Sequence, residues 1–382
     1  MKIAYIAPAE IPSSTANSIQ VMKVCQALTQ LGHETSLIVP GSQNTSWQDL
    51  SAHYGIFTRF PIHWLPARKS LRKLDFAWAA VHMAKKQQSK VIYTRLYWVA
   101  VLALQQKMPV ILEMHELPSG RFGPWLYRRY LHLKGQKFTV FITHALKTLI
   151  EKSLNVHHAP DQFYIAPDGV DLERYASLPS PVAARSSLDL QELPTVAYSG
   201  GFYPGRGLEI LFDLARALPQ IQFLWVGGKP AIVEAWREKV TAAGLKNVRL
   251  TGFISNHDLP LYQAAADVLL MPYSQKVSGS SGGDISSVTS PMKLFEYMAC
   301  GRVIVSADLS VLHEVLNDAN AVFYPPDDLI ALTGTITDLL NNPEHRQRLA
   351  EQARQDVVQY SWQARMESIL AHFEQNQLEQ SS

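Results

Sequence analysis

The feature that most constrains this chain is an alternation of strand and helix signals that runs, stops and runs again. Short apolar runs recur at residues 3–7, 35–39, 91–94, 110–114, 138–142 and 163–165. Between them lie segments of helical spacing. Ile19, Met22, Val24, Ala27 and Leu28 mark a helix over 17–31 that Gly32 ends, and 75–86 and 145–152 read the same way. Strands apolar on both faces and separated by helices predict a parallel sheet with helices on each side. The alternation pauses at 176–194, where Ser-Leu-Pro-Ser-Pro and Glu-Leu-Pro read as a linker. It then resumes, with strands at 196–198, 223–226, 248–250, 268–271 and 303–306 and helices at 208–217, 231–243 and 258–265. The expectation is an α/β protein of two Rossmann-like domains, 1–178 and 195–358, joined by a linker at 179–194. Open parallel sheets bind ligands at the carboxyl ends of their strands, so a central cleft faced by both sheets is expected to hold the site.

Other features narrow the class. The 382 residues allow two cores of ordinary size. Cys25 and Cys300 stand far apart, with no CxxC or histidine pattern, which argues against a disulfide framework or zinc site and for a reducing compartment. No segment reaches the ~18 apolar residues of a membrane-spanning helix. The first apolar run has the length of a strand rather than of a signal peptide, so a cytoplasmic location is expected. A net charge of +2 hides an asymmetry: residues 1–178 carry 20 Lys/Arg against 11 Asp/Glu, and residues 179–382 carry 15 against 22. The first half should therefore meet something anionic. No nucleic-acid motif accompanies the charge, so nucleic acid is not the expected partner. Basic and aromatic residues mix at 68–73 and 125–130, which suits peripheral contact with an anionic membrane surface, on its inner face; solvated helix faces share that composition.

Two stretches of the second half carry chemistry. Residues 290–301 read as a short helix, with Ser290 as N-cap, Pro291 at the first position and Gly301 in the left-handed position past the end. Leu294, Phe295 and Met298 offer its buried side. Lys293 and Glu296 lie three apart at the helix start, where free N–H groups favour an anion, so the pair suits a phosphate and a nearby hydroxyl. A surface ion pair has the same spacing. The Gly/Ser-rich loop between Pro272 and Ser290 reads as a mobile lid, with simple disorder as the alternative. Upstream, the turn Gly200-Gly201-Phe202-Tyr203-Pro204-Gly205-Arg206-Gly207 follows a strand and opens a helix. Its glycines allow backbone N–H groups close to a phosphate that Arg206 can clamp. It lacks the dinucleotide G-x-G-x-x-G spacing, and no Walker lysine motif is present.

The order of these pieces resembles glycosyltransferase family 4, the retaining nucleotide-sugar enzymes of the GT-B fold. The series begins with Met1-Lys2-Ile3-Ala4 and Leu31-Gly32-His33-Glu34 and continues with Ile165-Ala166-Pro167-Asp168-Gly169-Val170-Asp171. After the turn with Arg206 come Leu250-Thr251-Gly252-Phe253, Ala264-Ala265-Ala266-Asp267 and the helix with Lys293 and Glu296. The resemblance covers nearly the whole chain. It implies sugar transfer from a nucleotide diphosphate-sugar to an acceptor hydroxyl on a glycan, glycolipid or small molecule, with no cofactor and no metal.

The resemblance also assigns residues. Arg206, with Gly200 and Gly201, holds the donor diphosphate, Lys293 supplies a second cation, and Glu296 binds the ribose. Phe253, Ser290, Pro291 and Met292 complete the donor site. His115 lies near the transferred sugar as an orienting hydrogen-bond donor, so His115, Arg206 and Lys293 form the catalytic set. Ser13, Ser14 and Asn17 belong to the loop that approaches phosphate and acceptor, and Arg95 ends a strand on the same side. The last helix, 359–382, crosses back to brace the first domain. The departures are Val288, eight residues before Glu296, where the family has a sugar-reading glutamate, with Asp284 as candidate substitute; Gly201 where an arginine is common; and Ser13-Ser14-Thr15-Ala16 where glycines are common. Two alternatives follow: a sugar-nucleotide epimerase on the same fold, and a catalytically silent binding protein.

Overall fold

The computed structural model describes residues 1–43, 45–68, 74–278 and 283–381, with side chains through Asn376. The chain forms two compact units, Met1–Asp168 with Trp362–Ser382, and Gly169–Ser361. The first unit opens with β1 (Lys2–Ile6), α1 (Ala16–Gln30), β2 (Glu34–Pro40), α2 (Trp47–Tyr54), β3 (Ile62–Leu65), α3 (Leu74–Lys86) and β4 (Val91–Thr94). It continues with α4 (Tyr97–Gln105), β5 (Val110–Met114), α5 (Gly123–His132), β6 (Lys137–Phe141), α6 (His144–Leu154) and β7 (Phe163–Ile165). All seven strands are parallel, in the order β3-β2-β1-β4-β5-β6-β7. Strand order reverses between β1 and β4, the place where such sheets leave a crevice at their carboxyl edge. Ile3, Ala4, Tyr5 and Ile6 are fully buried, as a strand covered on both faces requires.

The second unit repeats the plan. It contains α7 (Pro181–Ser187), β8 (Thr195–Ser199), α8 (Leu208–Ala217), β9 (Gln222–Val226), α9 (Pro230–Ala242), β10 (Val248–Gly252) and α10 (Leu259–Ala264). There follow β11 (Val268–Met271), α11 (Met292–Cys300), β12 (Val303–Ala307), β13 (Val322–Tyr324), α12 (Leu329–Asn341) and α13 (Pro343–Asp356). The sheet runs β10-β9-β8-β11-β12-β13, again all parallel, with its reversal between β8 and β11. The last helix, α14 (Trp362–Ser381), joins the first unit, where Gln363 bonds Gln30 at 2.8 Å and Asn376 donates to the Asp161 carbonyl at 2.7 Å.

The boundaries differ from the expected ones. The first unit ends at Asp168, not 178, and residues 359–361 remain with the second. The stretch 179–194 is no free linker. Ser180 caps α7, whose buried Arg185 pairs with Asp267 at 3.0 Å and donates to the Ala265 carbonyl, so the helix is fastened to the second sheet. Prolines flanking a helix of about two turns look like linker punctuation in sequence; the buried guanidinium decides otherwise. Strand β3 escaped sequence reading because it is a short, half-exposed edge strand interrupted by His63.

Candidate active site

In the second unit the two strands at the order reversal deliver the two expected motifs side by side. β8 runs into the glycine turn, and β11 into the segment that leads to α11. Tyr297 of α11 accepts a hydrogen bond from the Ser199 amide at 2.8 Å, which fixes the helix to the end of β8. Lys293 thereby lies under the turn: a Cβ added at Gly200, whose φ is 145°, would stand 2.6 Å from its Nζ. Gly207, φ 82°, is equally constrained, since a Cβ there would stand 1.7 Å from the Pro272 carbonyl oxygen. Only glycine lets the turn approach this closely.

Lys293 is 9 % exposed, and its Nζ is buried with no hydrogen-bond partner. Its ammonium has three donors to satisfy. What it has are the ring faces of Tyr198 at 3.8 Å and Tyr273 at 5.5 Å, which attract a cation without hydrogen bonding it. Arg206 donates to the Tyr273 hydroxyl at 3.1 Å and the Ser278 carbonyl at 3.3 Å, while its Nε is buried without a partner. Burial first, and then the Arg206 charge, push the Lys293 pKa well below the ordinary lysine value, against a weaker pull from Glu296. Two clustered cations with unmet donors form a site for a polyanion. Glu296 is half-buried, and Gln263 donates to it at 3.2 Å, to Ser199 Oγ at 3.0 Å, and accepts from Tyr175 at 2.8 Å. That network aims the carboxylate.

The remaining candidates of this unit divide. Phe253 follows β10 and is 45 % exposed. Pro291, not Ser290, occupies the N-cap, with φ −80° and ψ 125°, and Met292 begins the helix; the Pro ring cannot cap with a side chain, so the N-terminal N–H groups carry no side-chain cap bond. Gly301 is left-handed as expected, φ 65°. Gly201 needs its missing side chain, because a Cβ would strike the Tyr203 ring. Asp284 is exposed, and its Oδ1 accepts from the Val277 and Ser286 amides at 3.1 and 2.9 Å, which organises its own loop. Val288 is 5 % exposed, so the position of the expected glutamate is packed. Residues 279–282 of the expected lid lie outside the described residues. Its flanks are held, with Ser274 and Ser278 donating to Gly205 and Pro204 at 3.1 Å each.

In the first unit the loop candidates are largely engaged. The Ser13 amide donates to Tyr54 at 2.7 Å, and its Oγ bonds Thr15 and Ser18 at 2.9 Å each. Ser14 is exposed. Arg95, at the end of β4, donates to Asn17, so these two act as one unit at the sheet's order reversal. His115 leaves the end of β5 with its side chain 16 % exposed, and its Nε2 contacts Glu113. Glu113 is fully buried among Arg365 (3.2 Å), Gln20 (2.7 Å) and Tyr93. Burial would raise the Glu113 pKa, but Arg365, and then His115, hold it far below the usual carboxylate range. His115 is brought to about 4 by burial and then by Arg95, with Glu113 opposing. An ionised carboxylate only accepts, so the neutral imidazole carries its proton on Nε2 and presents Nδ1 as an acceptor. Sequence reading missed Arg365, 252 residues beyond Glu113; no local signal pairs them. It also missed Tyr198, Tyr273 and Gln263, which read as ordinary strand-end and helix residues.

Among the described residues no group of three or more His, Cys, Asp or Glu comes together as a metal site. No described helix is long and apolar enough to cross a membrane. The membrane-contact segment 68–73 lies outside the described residues except for exposed Arg68, and in 125–130 only half of the expected surface exists. Leu126, Tyr127 and Tyr130 are core residues, while Trp125 is 56 % exposed.

Two doubly wound parallel units, one carrying a glycine turn and a cation-bearing helix at its order reversal, define a GT-B glycosyltransferase that takes its sugar from a nucleotide-sugar. The chain belongs to glycosyltransferase family 4: residues 18–174 match the model of Glycosyltransferase Family 4, and residues 193–342 that of Glycosyl transferases group 1. A phosphatidyl-myo-inositol mannosyltransferase of Mycobacterium tuberculosis is 24 % identical, over 98 % of this chain and 97 % of that one. Among solved structures, sucrose-phosphate synthase from Thermosynechococcus elongatus superposes with a TM-score of 0.75 at 19 % identity over the full length of both chains. Anabaena HepE in complex with UDP gives 0.74 at 17 %, over 98 % of this chain and all of that one. These likenesses show the fold.

Proposed function

We propose that the protein is a retaining, metal-independent glycosyltransferase whose donor diphosphate is held by Arg206 and Lys293 and whose donor ribose is held by Glu296. The observation that carries this reading is the buried, unpartnered Lys293 Nζ beside Arg206. Sugar transfer adds a negative charge to the departing diphosphate, which keeps the electron pair of the broken sugar–oxygen bond as the sugar carbon becomes electron-poor. Preorganised cations and the N-terminus of α11 stabilise that charge where it develops. The acceptor hydroxyl attacks from the face the diphosphate leaves, so the anomeric configuration is kept, and its proton passes to the departing phosphate oxygen. No carboxylate pair of the glycosidase kind is needed. His115 accepts a hydroxyl hydrogen bond through Nδ1 and stays neutral. With Val288 packed at the family's sugar-reading position, recognition of the sugar rests on other groups.

The test is a thermal-shift series over UDP, GDP, ADP and their sugars, since a ligand of the native state raises its stability. One base should raise the melting temperature, and Lys293→Met and Glu296→Ala should remove that shift while leaving the protein folded. If no nucleotide shifts the wild type, the donor assignment falls. Turnover of the matching sugar nucleotide without any acceptor product would instead favour the epimerase. The protein is further proposed to work at the inner membrane face. The Trp98 ring lies 6.5 Å from Phe122 and 6.4 Å from Trp125, with exposed Arg121 and Arg129 in the same segment as these two. Co-sedimentation with anionic vesicles that weakens with salt is expected, and none at low salt removes this part.

A further inference from the structure

A cavity of about 530 Å³ in the first unit is lined from α2 and from the edge strand β3, and none of its residues belongs to the site described above. Its size falls within the ~300–1,000 Å³ of small-molecule sites. Six of its walls are apolar: Trp47, Leu50, Phe60, Pro61, Ile62 and Trp64. Trp47 and Phe60 meet edge to face at 5.5 Å. The Trp64 indole N–H already donates to the Ile11 carbonyl at 3.2 Å, so what it shows the cavity is ring. The polar lining is Gln43, Thr45 and Arg59.

The lining is graded. Leu50 and Phe60 are 2 % and 3 % exposed, whereas Gln43 and Arg59 are exposed. Arg59 makes no ion pair among the described residues, and it belongs to the half of the chain in which 20 Lys/Arg face 11 Asp/Glu. An apolar interior rejects a sugar, whose buried hydroxyls would lack partners, and accepts an alkyl chain. A cation at the exposed end suits a phosphate.

We infer that this cavity binds a single lipid phosphate, with the alkyl chain between α2 and β3 and the phosphate on Arg59. The cavity shares its walls with the loop that opens α1. Trp64 holds Ile11, and α2 holds the Ser13 backbone through Tyr54 at 2.7 Å and His53 at 3.1 Å. The lipid is thereby one residue layer from the loop that carries Ser13, since Tyr54 and His53 of α2 hold that loop and Leu50 of the same helix lines the cavity, and this assigns it as the acceptor's amphiphilic end. That role rests on the proposed transferase reading; the binding site itself does not.

The experiment is isothermal titration of the full chain with octyl phosphate below its micelle concentration, alongside octanol and inorganic phosphate. Octyl phosphate should bind saturably, one per chain and about tenfold tighter than octanol, with no binding of inorganic phosphate. Arg59→Gln, at an exposed position, should bring octyl phosphate down to the octanol level. Ile62→Trp, which fills the cavity, should abolish both, with its melting temperature measured as a control on folding. The inference is overturned if wild type shows no saturable octyl phosphate binding, if inorganic phosphate binds as tightly, or if Arg59→Gln changes nothing. Titrating UDP and GDP into the same sample separates the two readings. Nucleotide binding without octyl phosphate binding sinks the lipid site alone, and the reverse pattern sinks the donor site alone.

Discussion

Arg365 in the first unit and Lys293 in the second are both buried cations, 4 % and 9 % exposed, and their surroundings are opposite. Arg365 pairs with Glu113 at 3.2 Å and donates to the Pro167 and Ala166 carbonyls at 2.6 and 3.1 Å. Its charge is answered within the fold. Lys293 has two tyrosine faces, a second cation and no hydrogen-bond partner. A complete buried network is a structural element, while an incomplete one with an excess of cationic donors is a receptacle. The contrast separates two polar clusters that look alike in sequence, where each cation stands near the start of a helix.

Breaking each cluster should therefore move stability in opposite directions. Glu113→Ala leaves Arg365 without its counter-charge and is expected to destabilise the protein by about 3–5 kcal/mol in urea unfolding. Lys293→Met removes a buried charge that nothing in the protein satisfies. It should raise stability by about 1 kcal/mol while weakening nucleotide diphosphate binding on the order of a hundredfold, read by titration calorimetry. If both substitutions destabilise alike, the distinction between the clusters fails.

Gly200→Ala is the next sharper test. It places a methyl group 2.6 Å from Lys293 Nζ at a φ of 145°. A stability loss of about 1–2 kcal/mol and a fall in nucleotide affinity of about tenfold are expected, from displacement of the ammonium rather than its loss.

Proton linkage gives smaller effects of predictable sign. Because the Lys293 pKa is lowered by burial and by Arg206, the unfolded chain binds more protons than the folded one between the lowered value and the ordinary lysine value. Across that window the Lys293 contribution to stability rises with pH. A bound diphosphate favours the ammonium, so binding should take up protons and weaken as pH rises. Calorimetry in buffers of different ionisation heat reads this, and zero proton transfer throughout that window would count against it. For His115 the folded value is about 4 against an ordinary 6.5. Its contribution is present above about 6.5 and is lost as pH falls toward 4. Its imidazole signals should hold still between pH 6 and 8 in NMR, with the Nε2-protonated tautomer. A transition there would undo the Glu113 assignment.

Much of the fold was legible because parallel strands buried on both faces leave near-continuous apolar runs. Val91–Thr94, Val110–Met114, Leu208–Ala217 and Val268–Met271 coincide with their expected spans. Edge strand β3 and helix α7 were not legible, since one lacks an apolar run and the other is fastened by Arg185 to residues some 80 positions away. At the site, the residue types of Arg206, Lys293 and Glu296 pointed to an anion. Their spacing did not separate a surface ion pair from a buried cation, because a helix places i and i+3 side by side in either case.

The sequence by itself determined two doubly wound α/β units and the positions of the glycine turn and of the helix with Lys293, because apolar period and chain-reversing residues are local properties. Tertiary structure alone decided which charges are answered. Arg365 reaches Glu113 across the length of the chain, and the glycine turn covers Lys293 only when β8 and β11 lie adjacent. Electrostatic compensation depends on distance and burial in space, which sequence separation does not encode.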